Sequence, residues 1–119
     1  DCVMVSNVAY SKLTVKKVPA FMSQDIVTKL LREELGFDGI VMTSPLNDNV
    51  IENNYTNEFA VVEAVKAGCD LIVLPGNFKE CYEALITAVE EGRIDEKVIN
   101  TSVRRILQNK IQRGILVLE

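Results

Sequence analysis

Thr43-Ser44-Pro45 is where this sequence has the means to do chemistry. The apolar run Gly39-Ile40-Val41-Met42 ends there. Pro45 has no N–H to offer a ladder, so strand pairing stops beside it. Parallel α/β proteins carry their chemistry at the carboxyl ends of strands. A serine hydroxyl such as that of Ser44 is neutral at pH 7 and attacks only when a base activates it. The chain contains no histidine. That removes Ser-His-Asp and Cys-His activation, imidazole proton shuttles and the commonest transition-metal ligand. Catalysis by this chain alone must rest on carboxylates, Lys, Tyr or Cys.

Other polar residues share the strand ends. Ser6-Asn7 follows the apolar run Val3-Met4-Val5, and Asn77 follows Leu71-Ile72-Val73-Leu74. Asn7 reads equally as a hydroxyl-binding amide or as a turn former. Thr43 and Asn77 are weaker site candidates, as is Tyr10 in the first long loop. Ser44 reads as a loop-capping or remnant neutral residue in preference to a ligand contact. Asp48 reads as a solvated loop residue. Asp38 and Asp70 precede their strands, on the amino side of the sheet, where carboxylates are structural. Tyr55 and Tyr82 read as packing residues.

Composition narrows the class. At 119 residues, 48% apolar and 25% charged, the chain has the make-up of one globular domain or a piece of one. Net charge is −4 and the 13 basic residues are scattered, which is not the footprint of a nucleic-acid binder. No apolar run approaches the roughly 18 residues of a membrane span. The chain opens directly on Asp1-Cys2-Val3-Met4-Val5, without a signal-peptide pattern or an initiator Met, as a processed product or a fragment would. Cys2, Cys69 and Cys81 form no CxxC and give no metal-ligand spacing. Reduced structural thiols in a cytoplasmic protein are expected, with Cys2 and Cys69 buried at strand edges.

The elements follow from period and punctuation. Strands are expected at Val3–Ser6, Gly39–Thr43 and Leu71–Leu74, each a short apolar run buried on both faces. Residues 8–22 show no period and read as a long loop, as does the Asn-rich stretch 44–56. The first helix starts at an Ser23 N-cap, carries Ile26, Val27, Leu30, Leu31 and Leu35, and stops at Gly36. The second runs from Glu58 to Ala67, capped by Asn57 and ended by Gly68. A turn at Pro75-Gly76-Asn77 leads to the third, residues 78–91, with Phe78, Tyr82, Leu85, Ile86 and Val89 as its apolar stripe. The fourth runs from an Asp95 cap to about Arg113, with Val98, Ile99, Val103, Ile106, Leu107 and Ile111 as a stripe wide enough to bury. The order βαβαβαα means α/β with parallel strands and right-handed crossovers. Two architectures fit: a partial TIM-barrel-like segment, or a small open α/β sandwich. A whole barrel takes about 250 residues, so the chain would be less than half of one.

Five stretches carry a family resemblance from Asp1 to about Gly114. They are Val3-Met4-Val5-Ser6-Asn7-Val8, Pro19-Ala20-Phe21-Met22-Ser23, Leu30-Leu31-Arg32-Glu33-Glu34-Leu35-Gly36-Phe37-Asp38-Gly39, Glu63-Ala64-Val65-Lys66-Ala67-Gly68-Cys69-Asp70-Leu71, and Gly92-Arg93-Ile94-Asp95 with Ser102-Val103-Arg104-Arg105-Ile106-Leu107. In register, they resemble the C-terminal part of the catalytic (β/α)₈ barrel of family 3 glycoside hydrolases, particularly β-N-acetylhexosaminidases. The resemblance implies cleavage of O-glycosidic bonds in β-N-acetylglucosaminides without a cofactor or metal. It places the family's nucleophilic Asp at Ser44 and its substrate-contacting His at Asn7, with Thr43 beside them. The family's "K-H-F-P-G-H-G" segment, with its sugar contacts and acid/base loop, belongs upstream of residue 1.

A retaining glycosidase needs a carboxylate at the anomeric carbon. Ser44 cannot supply its charge, so a glycosidase fragment or degenerate form, inactive alone, is expected. The other reading is a non-catalytic sugar-binding or assembly module, since a partial sheet leaves two open edges that invite self-association or the remainder of a barrel. Expected partners are therefore an N-acetylglucosamine-type carbohydrate and another barrel portion or copy, with no nucleic acid or membrane. A receiver or flavodoxin-like domain fits less well. The strand ends lack an acidic cluster, and there is no GxGxxG or P-loop.

Overall fold

Apolar runs punctuated by glycine fold as the alternation of periods requires. The computed structural model describes residues 1–73 and 76–117; Leu74 of the expected third strand and Pro75 of the expected turn lie outside the described residues. Strand β1 (Cys2–Val5) pairs in parallel with β2 (Ile40–Thr43), with Cys2 opposite Ile40 and Val5 opposite Thr43. A π-wound helix (Asp25–Glu34) crosses between them. Four α-helices follow: α1 (Asn49–Glu52), α2 (Asn57–Ala67), α3 (Phe78–Glu90) and α4 (Glu96–Gln112).

The third extended segment lies beside β2 as one parallel bridge, Met42 to Leu71. The expected ladder starts regularly: the Leu71 N–H donates to the Val41 carbonyl and the Thr43 N–H to the Leu71 carbonyl. A regular parallel ladder would next use the Thr43 carbonyl. Instead the Val73 N–H donates to the Thr43 hydroxyl, 3.1 Å away. A side chain thus competes with the backbone, and the described residues form one bridge there.

The core forms between sheet and helices. Phe21, Val27, Val41, Leu46, Ile51 and Val61 are buried completely or almost so. Residues 8–22, expected as a loop, end in a buried 3₁₀ turn (Ala20–Met22). It folds back on the end of β1, with the Ala20 N–H donating to the Val8 carbonyl and the Phe21 N–H to the Ser6 carbonyl. Ser23 has extended backbone and its carbonyl accepts from Ile26 and Val27, so it occupies the N-cap position of the π-wound helix. That helix closes with an i→i+5 bond from the Leu35 N–H to the Leu30 carbonyl.

Several expectations change. The N-cap of α2 is Thr56, whose hydroxyl accepts from the Phe59 N–H, and not Asn57. Asp48 caps the single turn α1 inside the expected loop. Strand β1 is not buried on both faces: Val3 and Val5 face the core, while Cys2 and Met4, on the opposite face by the period of two, are exposed, Met4 to 56%. The stripe on α3 turns outward at Phe78, Tyr82 and Ile86, while Cys81 and Ala88 face the core. On α4 only Ser102 is buried, and Val103, Leu107 and Ile111 are exposed. A helix face buries only where a neighbour lies over it. Among the described residues no helix is long and apolar enough to cross a membrane.

The architecture is a partial TIM-barrel-like segment with an open parallel sheet. Gly68 closes α2 at φ 108°, and a Cβ there would stand 2.9 Å from the Thr28 hydroxyl. Glycine is required twice over, for conformation and for space.

Candidate functional site at the strand carboxyl ends

Parallel register brings the two polar strand ends together. Because Val5 lies opposite Thr43, Ser6-Asn7 and Ser44 leave the sheet side by side. The Ser44 N–H donates to the Val5 carbonyl at 2.8 Å, extending the ladder by one bond. Pro45 then ends it. The Leu46 N–H donates to the Val73 carbonyl, drawing the loop over the third segment.

Each candidate now has a geometry. Thr43 is fully buried and its hydroxyl is occupied by Val73. It shapes the strand end from below and has no surface for a ligand. The Ser44 hydroxyl is buried and has no hydrogen-bond partner among the described residues. No base stands against it among the described residues, so it has the chemistry of an unactivated alcohol. Asn7 is half-buried. Tyr10 is 45% exposed, and its carbonyl accepts from Leu13 and Thr14. Tyr55 packs against Phe59 with the rings 5.8 Å apart and nearly parallel. Tyr82 is more than half exposed, stacked on Phe78.

Asn77 joins a cluster that residue spacing did not disclose. Its carbonyl oxygen accepts from the Asn57 side-chain amide at 3.2 Å and from the Cys81 thiol at 3.4 Å. Its own amide donates to Glu58. This ties the start of α3 to the start of α2. The Asn57 carbonyl oxygen is buried without a partner. Asn57 and Glu58 are twenty and nineteen residues from Asn77 in sequence, a separation that no local motif encodes.

The amino end of the sheet holds the strongest electrostatics. The Asp70 side chain is fully buried. Its Oδ2 accepts from Arg32 at 2.7 Å and from the Val41 N–H at 2.9 Å. Its Oδ1 accepts from the Ser102 hydroxyl at 2.7 Å and from Arg105 at 3.0 Å. Arg32 also donates to the carbonyls of Gly39 and Gly68. A buried carboxylate persists when all its lone pairs are used. The adjacent Cys69 thiol, buried and next to that negative charge, is pushed up to about 12. It stays protonated and unreactive.

A hollow of about 270 Å³ lies elsewhere, between the residue 15–25 loop and α2, lined by Val15, Met22, Phe59 and Lys66 among others. It includes none of Asn7, Thr43 or Ser44, and it has no bearing on the strand ends. Among the described residues no group of three His, Cys, Asp or Glu is placed to hold a metal ion.

Comparison with known proteins agrees with this geometry. The family model described as Glycosyl hydrolase family 3 N terminal domain matches residues 1–109. A solved family 3 β-N-acetylglucosaminidase from Paenibacillus superposes over 100% of this chain and 24% of its own, at TM-score 0.92 and 38% identity. The β-N-acetylglucosaminidase from Thermotoga maritima covers 90% of this chain and 24% of its own, at 0.83 and 31%. Among sequence relatives, a "Beta-hexosaminidase A" of Pseudoalteromonas piscicida is 28% identical over 91% of this chain and 21% of its own length. A "Beta-glucosidase" of Rhizobium radiobacter is 37% identical over 69% of this chain and 9% of its own. The chain thus spans at most about a quarter of these relatives. The family match, the parallel open sheet and the polar strand ends together make this chain a member of glycosyl hydrolase family 3, carrying part of its N-terminal, TIM-barrel-like domain.

Proposed function

We propose that this chain forms one domain, the C-terminal portion of a family 3 catalytic barrel, and that it does not cleave glycosides by itself. The observation that carries the reading is Ser44. It stands where the resemblance puts the nucleophilic carboxylate, and its neutral hydroxyl is buried without a partner among the described residues. Retaining hydrolysis needs a negative charge at that point to stabilise an oxocarbenium-like transition state. Losing one central electrostatic stabiliser costs about 3–4 kcal/mol of barrier. The substrate class of the reading is β-N-acetylglucosaminides, in keeping with the relatives at 38% and 31% identity. The β-glucosidase at 37% makes β-glucosides the comparison to run. The reading carries no cofactor and a cytoplasmic setting.

A second reading, a sugar-binding or assembly module, rests on a separate observation. Among the described residues β1 pairs with β2 alone, which leaves its other edge open. Open edges of this kind take up another strand, from a second copy or from the rest of a barrel.

The test is hydrolysis of aryl β-N-acetylglucosaminide and aryl β-glucoside by the purified chain, with calorimetric titration of N-acetylglucosamine alongside. Product release no faster than in buffer is expected. Heat of binding without turnover selects the module. Turnover that Ser44→Ala abolishes overturns the proposal.

A further inference from the structure

We infer that the buried Asp70 carboxylate is a two-sided latch: one oxygen holds the sheet, the other holds α4, and α4 can leave while the rest of the fold stays closed. The division is visible atom by atom. Oδ2 serves Arg32 of the π-wound helix and the Val41 N–H of β2. Oδ1 serves only Ser102 and Arg105, both on α4. No partner is shared between the two oxygens.

The rest of α4 is weakly held. Over its 17 residues Ser102 alone is buried. Val98 and Ile99, in its first turn, pack partly against the core. Val103, Leu107 and Ile111 follow at intervals of four and are exposed. Most helical stability in a protein comes from burying an apolar face, and α4 buries little of one. Beyond the first turn Ile106 is half-buried, and the hydrogen bonds that attach the helix to the core, among the described residues, meet on one carboxylate oxygen. The charges facing that carboxylate are the two guanidinium groups of Arg32 and Arg105. Removing Arg105 leaves Arg32 to balance Asp70. Removing Arg32 leaves Oδ2 with the Val41 N–H alone and strips the Gly39 and Gly68 carbonyls of their shared donor, loosening the sheet side.

The hinge for such a movement is the short link between α3 and α4. Gly92, with φ 70°, starts it and Asp95 caps α4 after it. Ile94 in the link is buried and stays as the anchor. The strand carboxyl ends with Asn7 and Ser44 lie at the opposite end of the sheet from Asp70, so release of α4 leaves them unchanged.

The test is amide hydrogen exchange, read by mass spectrometry on the intact chain, comparing Ser102→Ala, Arg105→Met and Arg32→Met with the parent. The first two variants should speed exchange in residues 98–112 by about ten- to a hundredfold, the loss expected of a hydrogen bond to a charged group. The π-wound helix, β2 and α2 should keep their parent rates. Arg32→Met should speed all of these segments together. Two results overturn the inference. One is unchanged exchange in α4 after both α4-side substitutions. The other is equal acceleration throughout the molecule, or failure of either α4-side variant to fold, which would make α4 part of one cooperative unit.

Discussion

Installing a carboxylate at residue 44 should weaken this chain and not awaken it. The parent hydroxyl is buried and unpaired among the described residues. In Ser44→Asp the new carboxylate replaces a group to which none of those residues donates a hydrogen bond. An ionised group buried without a partner costs several kcal/mol, and it responds by holding its proton, with a pKa raised by up to 3–5 units. A rise of two units from the usual ~3.9 corresponds to about 2.7 kcal/mol at neutral pH, against a total stability of about 5–15 kcal/mol. The sign follows from linkage. A carboxyl group whose folded pKa is raised binds more protons folded than unfolded, so stability falls as pH rises above about 4 and levels off beyond the folded value. Ser44→Ala removes a hydroxyl without a bond to any described residue, and should be neutral or slightly stabilising. Urea unfolding of both variants and the parent at pH 4.5 and pH 8 measures this directly. Ser44→Asp should lose about 2–3 kcal/mol at pH 8 and much less at pH 4.5. Equal stability of Ser44→Asp and parent at pH 8 would refute the reasoning, because the hydroxyl would then face solvent or a donor.

Thr43→Val keeps the shape of a buried side chain but deprives the Val73 N–H of its acceptor. It should cost about 1–3 kcal/mol in urea unfolding and speed exchange at the Val73 amide; no change in either would mean that the Thr43 carbonyl takes over. Gly68→Ala forces a left-handed residue and a contact at 2.9 Å from Thr28, so it should cost more than the ~1 kcal/mol of the backbone penalty alone, read as a lower thermal midpoint. A thiol reagent at pH 8 should label exposed Cys2 at once, and buried Cys69 and Cys81 only on unfolding; immediate labelling of all three would contradict the fold. Because the Cys69 thiol ionises near 9 unfolded and only at about 12 folded, stability should decline above pH 9 by up to ~1.4 kcal/mol per pH unit. Cys69→Ala should remove that part of the decline, as differential unfolding curves at pH 8, 9 and 10 will show.

How far the sequence could be read depended on the range of each signal. Helix ends were local and came through: Gly36, Gly68 and Gly92 stop their helices, and Asp95 caps α4 by accepting from the Lys97 N–H. The parallel βα order came through as well, since switching between periods two and 3.6 is itself local. Which faces are buried did not. Phe78, Tyr82 and Ile86 sit at core spacing yet point outward, because periodicity shows that a helix has an apolar face and says nothing of what lies over it. The third segment departs from regular pairing at Val73, whose N–H takes the Thr43 hydroxyl, a side-chain competition that no propensity scale resolves. At the site, the neutral character of Ser44 was plain from the residue type. Its burial, the Asn57–Asn77–Glu58 cluster and the fourfold use of Asp70 each join residues about twenty to thirty-eight positions apart, and only folding brings those together.

The divided carboxylate also sets an order of events during synthesis. When Asp70 leaves the ribosome, Arg32 and Val41 have already been made, and both ligands of Oδ2 are at hand. Ser102 and Arg105 come 32 and 35 residues later. In that interval Oδ2 already holds the sheet, while Oδ1, with α4 not yet made, keeps its hydration. The sheet can therefore close first, and docking of α4, which exchanges water for Ser102 and Arg105, is the closing step of folding. A ribosome-stalled chain ending near residue 100 should already protect β2 from amide exchange.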